Sequence, residues 1–116
     1  MGTVFHDAIV VTSSFRDDID KARSEAISLD LVCTEAVPYA INTGWSFLIA
    51  PDGSKLGWDV REQHEISRAA WIEWAEKQYA LGVYFDWVHV QFGSEREAQA
   101  SVIADNHDAA RKAGDY

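Results

Sequence analysis

Ala8-Ile9-Val10-Val11-Thr12-Ser13-Ser14-Phe15-Arg16-Asp17 is the stretch on which the fold turns. Ala8 to Thr12 is a nearly continuous apolar, β-rich run, and a run without alternation reads as a central strand. Ser13 and Ser14 stop it. Ser14 to Asp17 has the form of a capping box with Asp in the place of Glu. Asp17 and Asp18 fall in the first turn of the next segment, where a helix dipole favours anions. Phe15, Ile19, Ala22, Ala26 and Leu29 then recur at spacings of three and four, which predicts an amphipathic helix from about Phe15 to Leu29. Asp17 and Lys21 are spaced to pair along its exposed side.

Working outward, Leu31 to Cys33 reads as a brief strand, and Thr34 to Gly44, with Pro38, Asn42 and Gly44, as a loop that is either functional or covers one end of a sheet. Trp45 to Ala50 is the second clear strand. Pro51-Asp52-Gly53-Ser54 is a turn signal, and Lys55 to Asp59 is expected to return as a shorter strand carrying Trp58. Arg61 to Leu81 is the longest helix, closed by Gly82. Ala70, Trp71, Trp74, Gln78 and Leu81 share one side of it, Glu62, Glu65, Glu73 and Glu76 cluster on another, and Ile72 and Tyr79 lie roughly opposite Trp74, exposed or facing a partner. Asp86 to Phe92 alternates as a half-buried strand, with Trp87, His89 and Gln91 on one side and Val88, Val90 and Phe92 on the other. Beyond it, Ser94 to Glu97 fits a second capping box, whereas Gln99 to Ala104 fits a strand pairing back as a hairpin. From Asn106 the chain is expected to fray.

The order strand, helix, strand, strand, helix, strand is that of an α+β, ferredoxin-like split βαβ sandwich, a single domain over residues 1–116. Two helices on one face of a mainly antiparallel sheet leave the other face partly open. Trp87 and His89 are then expected on that open face unless the tail covers it.

The chain has 116 residues, a formal net charge of −9 and 47% hydrophobic residues, enough for a core and too apolar for general disorder. No apolar run approaches the ~20 residues of a membrane span, and Met1 to His6 lacks the features of a signal peptide. The lone cysteine, Cys33, neither staples a fold nor builds a zinc site. A cytoplasmic protein is expected. The negative charge disfavours direct binding to nucleic acid, which needs clustered Lys and Arg, and to anionic membranes. It favours a basic partner or a merely solvated surface.

Candidate chemistry is sparse. His6, Asp7, His64, Glu65, His89, His107 and Asp108 are the metal-capable residues, but no two histidines stand at i, i+4, so neither a metal nor a cofactor is expected. Cys33 reads as a small hydrophobe, and Thr12-Ser13-Ser14 as helix capping rather than an anion site. His6, His64 and His89 are the acid–base candidates of an enzymatic alternative. Trp71 and Trp74 read as core. Trp45, Trp58 and Trp87, with His89, are the candidate lining of a groove for a planar ligand such as a nucleotide signal. An anionic ligand there would need Arg61, Arg68 or Lys55 brought together. Glu62, Glu65, Glu73 and Glu76, with Asp17, Asp18, Asp20 and Glu25, are expected to merge into one negative surface if both helices share a sheet face.

Three segments carry a resemblance: Phe5 to Ser13, Ser46 to Trp58 with its Ala50-Pro51-Asp52-Gly53-Ser54 turn, and Asp86-Trp87-Val88-His89-Val90-Gln91-Phe92-Gly93. Together they are similar to small uncharacterised proteins of tailed bacteriophages and prophages. The resemblance covers about half the chain and implies a phage accessory protein in the bacterial host cell, with no catalytic residue or ligand attached. The expectation is a non-enzymatic interaction protein that binds and inhibits a host or antiviral-defence protein, itself basic or nucleic-acid-binding. The working surface would be Glu62, Glu65, Ile72, Glu73, Glu76, Tyr79, Asp17 and Asp18. A small-ligand binder and a small hydrolytic enzyme are the alternatives, and homodimerisation is compatible with all three.

Overall fold

A computed structural model describes residues 5–54, 57–93 and 99–107. Two helices lie on one face of an antiparallel sheet, in an α+β arrangement. Strands β1 (Phe5–Ser13), β2 (Val37–Pro38), β3 (Trp45–Ile49), β4 (Asp86–Gly93) and β5 (Ser101–Asp105) form the sheet in the order β2-β3-β1-β4-β5. Helix α1 spans Arg16–Ser28 and α2 spans Asp59–Gln78, the latter continued by a 3-10 turn over Tyr79–Leu81. The apolar β1 is the central strand, as its composition requires. It pairs with β3 from Ile9↔Ile49 to Ser13↔Trp45, and with β4 from Phe5↔Gly93 to Thr12↔Asp86.

The core lies between sheet and helices. Ile9, Val11, Phe47, Ile49 and Trp87 from the sheet meet Ile19, Ala22 and Ala26 of α1 and Trp71 and Ala75 of α2. Small residues on α1 let α2 approach closely enough for the Trp71 indole Nε1–H to donate to the Ala22 carbonyl at 3.0 Å. Trp71 is fully buried and meets Trp87 edge-on at 6.1 Å. Trp74 is half-buried and stacks on Phe85.

Several expectations are corrected. The capping box at Ser14 does not form. Phe15 is the N-cap residue, without a side-chain cap, and Ser13 Oγ instead accepts from the Phe15 N–H (3.1 Å) and donates to the Tyr84 carbonyl (2.6 Å). On α1 it is Arg16 and Asp20 that pair, at 3.2 Å. No strand follows the Pro51–Ser54 turn within the described residues: Gly57 and Trp58 are outside any strand and Asp59 already opens α2, residues 55–56 lying outside the described residues. The outer neighbour of β3 is instead β2, drawn from the segment read as a loop. Cys33 forms only an isolated bridge to Ile49.

The sidedness of β4 is also the reverse of the expectation. Val11↔Trp87, Ile9↔His89 and Asp7↔Gln91 are register partners, so Trp87, His89 and Gln91 face the helices, and Trp87 is only 3% exposed. Trp87 buries more area than any other β4 side chain, and a polar inset around Asp7 receives His89 and Gln91. Of the two readings of the tail, the hairpin is realised as β5, which pairs with β4 through a register shift between His89 and Val90. Asn106 does not fray. Its side chain accepts from the Trp87 N–H (3.1 Å) and donates to Asp86 (3.0 Å). The second capping box and the tail beyond His107 lie outside the described residues.

Candidate functional site

The end of the molecule where α2 gives way to β4 carries an exposed aromatic row. The 3-10 turn stops at Gly82, whose φ of +83° is a conformation that glycine adopts without a steric penalty. The reversal brings Tyr84 back beside Tyr79, ring centroids 5.1 Å apart and edge-on. Phe15, at the start of α1, meets Tyr84 on its other side at 6.2 Å. The Tyr84 backbone is clamped on both sides: its N–H donates to the Asp18 carboxylate (2.9 Å) and its carbonyl accepts from Ser13. Phe15 and Tyr84 are therefore fixed by part-buried hydrogen bonds, with Tyr79 packed against Tyr84, while the rings stand in solvent, Phe15 55%, Tyr84 44% and Tyr79 78% exposed.

Tyr84 divides two hollows. One, of about 470 Å³, is lined by Phe15, Asp17, Asp18 and Trp45. The other, of about 460 Å³, is lined by Glu76, Tyr79, Asp86, Asn106 and His107. Carboxylates thus stand at the rims of both. Arg16 also lines the first hollow, where it pairs with Asp20 and lies over the Trp45 ring, 5.5 Å from guanidinium carbon to ring centroid.

Part of the expected acidic surface is engaged or turned toward β4. Both helices do share one sheet face, but α1 packs on β1 and β3, whereas Glu65 and Glu76 look onto β4, beside His89 and Trp87 respectively. Several carboxylates are also engaged: Glu65 with Arg61 (3.0 Å), Glu73 with Lys77 (3.5 Å), and Asp18, which is buried, with the Tyr84 backbone. Among the described residues, Asp17, Glu62 and Glu76 are exposed carboxylates without an ion pair. Ile72, expected outside, is half-buried against the core. Tyr79 is exposed as expected.

A second constellation, not assembled from the sequence, is buried under the start of α2. Asp7 on β1 is 4% exposed. Its Oδ2 accepts from Arg61 (2.6 Å) and Arg68 (3.5 Å), and its Oδ1 from His89 Nε2 (2.9 Å) and Gln91 (3.2 Å). That bond to a carboxylate places the His89 proton on Nε2. Burial pushes the Asp7 carboxyl up, but the His89 hydrogen bond and the Arg68 and Arg61 charges outweigh it and hold the group below the usual Asp range. Asp52 is lowered in the same sense, its hydrogen bonds from Ser54 and the nearby His64 and Arg68 charges overcoming its own desolvation. His64 stands 3.9 Å from it.

Two histidine–carboxylate pairs therefore flank Arg68. A hollow of about 260 Å³ opens over Asp7, His89 and Gln91, and among the described residues no serine, threonine or cysteine lines it. The arrangement can orient an imidazole and hold a proton, and among the described residues it has no adjacent nucleophile. No group of three metal-capable side chains converges among the described residues. The sequence did carry a signal for this site, a lone Asp in an apolar strand and two arginines seven apart on one helix face.

The tryptophan groove is not formed. Trp87 is core. Trp45 pairs with Ser13 at the end of β1. Trp58, 53% exposed, precedes by three residues the Arg61 that bonds the Phe5 carbonyl at the start of β1. The two exposed-side tryptophans thus stand at opposite ends of the central strand, and His89 belongs to the Asp7 cluster. Comparison with family models, with curated proteins and with solved structures finds no match. Among the described residues, no helix is long and apolar enough to cross a membrane.

Proposed function

We propose that the protein is a non-catalytic interaction module that engages a basic protein partner through the Phe15–Tyr84–Tyr79 row. The observation carrying this reading is the clamp that holds three exposed rings between two carboxylate-rimmed hollows. Aromatic anchors in a polar rim are the usual composition of a binding hot spot. Lysine and arginine side chains gain from ring faces and from Asp17, Glu76 and Asp86 at once. The acidic flank of α2, Glu62 and Glu73 included, extends the field that steers such a partner. In the setting implied by the phage resemblance, the partner is a host or antiviral-defence protein that handles nucleic acid. The finer description of the fold as a ferredoxin-like split βαβ sandwich goes with this reading, supported by the position of β1 between β3 and β4 and by the helices on one face.

The test is calorimetric titration with an arginine-rich peptide of about 15 residues, long enough to span both hollows. Binding should weaken steeply with salt and fall at least tenfold, about 1.4 kcal/mol, in Tyr79→Ala and in Glu76→Lys. Binding indifferent to both substitutions, or no binding at low salt, overturns the reading.

The Asp7–His89 pair favours a second reading, a small-ligand or hydrolytic site in the hollow above it. A ligand bound there raises the melting temperature by mass action, and His89→Gln should abolish that rise. A nucleotide panel that leaves the melting temperature unchanged counts against it.

A further inference from the structure

The sheet face turned away from the helices is apolar across its middle. The strand registers place its side chains in rows: Leu48, Val10 and Val88; then Ala8, Val90 and Val102; then His6 and Phe92. Val10, Phe92 and Val102 are exposed, whereas Ala8 in the middle row is buried and Leu48, Val88 and Val90 are half-buried. Tyr39 reaches over one end of this face, and Asn106 and His107 border a hollow beside Val10, Thr12 and Val88. The Tyr39 hydroxyl hydrogen-bonds Thr12 Oγ1 at 2.6 Å, and its ring fills the space that a Cβ on Gly44 would need. Among the described residues, no helix covers the remainder.

We propose that this face binds a second copy of the chain, sheet against sheet, in a symmetric dimer. The distribution of charge selects that occupant. The chain carries −9, yet among the described residues the strand registers place no carboxylate, lysine or arginine in the middle of this face. The nearest carboxylates, Asp86 and Asp105, sit at one corner and are engaged by Asn106 and by the His107 N–H. A basic partner finds nothing there to pair with, and an anionic lipid surface is repelled by the whole molecule.

A second copy meets neither objection. Packed sheets stand about 10 Å apart, so the two acidic helix layers face outward roughly 30 Å from one another. That is several Debye lengths at about 0.15 M salt, and the like charges cost little. Exposed apolar patches on the order of 300 Å² are the size that marks functional surfaces on small proteins, and a face with Val10, Phe92 and Val102 exposed belongs to that class. It is small for an obligate interface, so the dimer belongs to the weak, concentration-dependent class. This surface is on the other side of the sheet from the aromatic row and does not depend on how that row is used.

Sedimentation velocity on the full chain between about 10 and 500 µM tests it across the range where interfaces of this size associate. A shift from monomer to dimer is expected within that range. Phe92→Lys and Val102→Lys should each raise the dissociation constant at least tenfold, although each makes the chain less negative and weakens long-range repulsion. Ile66→Lys, the same kind of change on the exposed side of α2, should leave the dimer in place. Far-UV circular dichroism shows which variants are folded. If the lysine variants do not fold, salt dependence of the wild-type chain decides instead: an apolar contact between like-charged copies tightens with salt. A monomer at all concentrations, a dimer unaffected by both sheet-face lysines, or a dimer that salt dissociates overturns the proposal.

Discussion

Arg61 of α2 and Asp7 of β1 form a buried ion pair, Nη2 to Oδ2 at 2.6 Å, with both side chains about 95% removed from solvent (4% and 5% exposed). The pair ties the start of the long helix to the start of the central strand. It also explains how a polar inset survives inside an apolar core. Arg68, His89 and Gln91 take up the remaining acceptor capacity of the carboxylate, and every fully buried polar side-chain atom among the described residues has a partner. Buried charges are tolerated when paired and costly when orphaned.

Asp7→Asn should therefore cost about 3 kcal/mol, because it leaves two arginines with a weakened partner in a site that excludes water. Urea unfolding followed by tryptophan fluorescence reads this directly. Replacing the three buried charges as a unit, with Asp7→Leu, Arg61→Leu and Arg68→Met together, should recover stability relative to Asp7→Asn, since no buried arginine is then left with a weakened partner, and Glu65, which loses Arg61, is exposed to solvent. A triple variant less stable than the single one would show that the cluster contributes more than its burial costs.

The same carboxylate sets the acid limb of stability. Its folded pKa lies below the unfolded value. Its contribution is therefore fully present above the unfolded pKa, near 4, and is lost as pH falls through the depressed folded value. Asp52 acts in the same direction. Unfolding free energy measured from pH 7 downward should hold until about pH 5 and then decline. In Asp7→Asn that decline should be shallower, because one titrating group is gone. An identical slope in the two proteins would contradict the assignment.

Asn106 closes the outer hairpin by bonding the Trp87 N–H and the Asp86 carboxylate, while its own N–H reaches the Trp87 carbonyl at 3.2 Å. Asn106→Ala removes these two side-chain bonds and a longer one to His107 (3.4 Å), and should cost about 1–2 kcal/mol. Amide exchange should quicken over Ser101–Asp105 and leave β1 protected, because β5 is an edge strand held only by β4. Faster exchange spread evenly over the sheet would contradict a local role.

Gly44→Ala should destabilise by about 1–3 kcal/mol, the usual range for overpacking. The added methyl group occupies the position of the Tyr39 ring and breaks the Tyr39–Thr12 hydrogen bond. Thermal unfolding measures it. The double variant with Tyr39→Ala should lose less than the sum of the singles, since one removes the obstacle to the other.

Much of the architecture was legible in the chain. The three-and-four spacing of Phe15, Ile19, Ala22, Ala26 and Leu29 identified α1 to within one residue at either end. The long periodic run ending at Gly82 identified α2 and its turn. The apolar block around Val10 was correctly central. The order of sheet elements was not legible around β3, because the signal of Pro51–Ser54 specifies a reversal and says nothing of which strand the chain pairs with afterwards.

The functional surfaces were much less legible. β4 alternates between a Val/Phe set and a Trp/His/Gln set, and either can face a core if the other side supplies suitable partners. Choosing between them needs Asp7 and its arginines, which are 54 and 61 residues apart in sequence, and His89, which is 82 residues away. The aromatic row has the same origin. Phe15 and Tyr84 meet only because Ser13 and Asp18 clamp a backbone segment far along the chain.

By itself the sequence determined local conformation: which segments coil, which extend, and that the molecule carries an excess of negative charge. Those properties depend on side-chain periodicity, capping and turn chemistry within a few residues. The tertiary structure alone decided which face of β4 is inside, that Asp18 and Glu65 are engaged by the Tyr84 backbone and by Arg61, and that Asp7 lies among cations. Each of these depends on strand register and helix placement, and they arise from burial competing with desolvation across the whole chain.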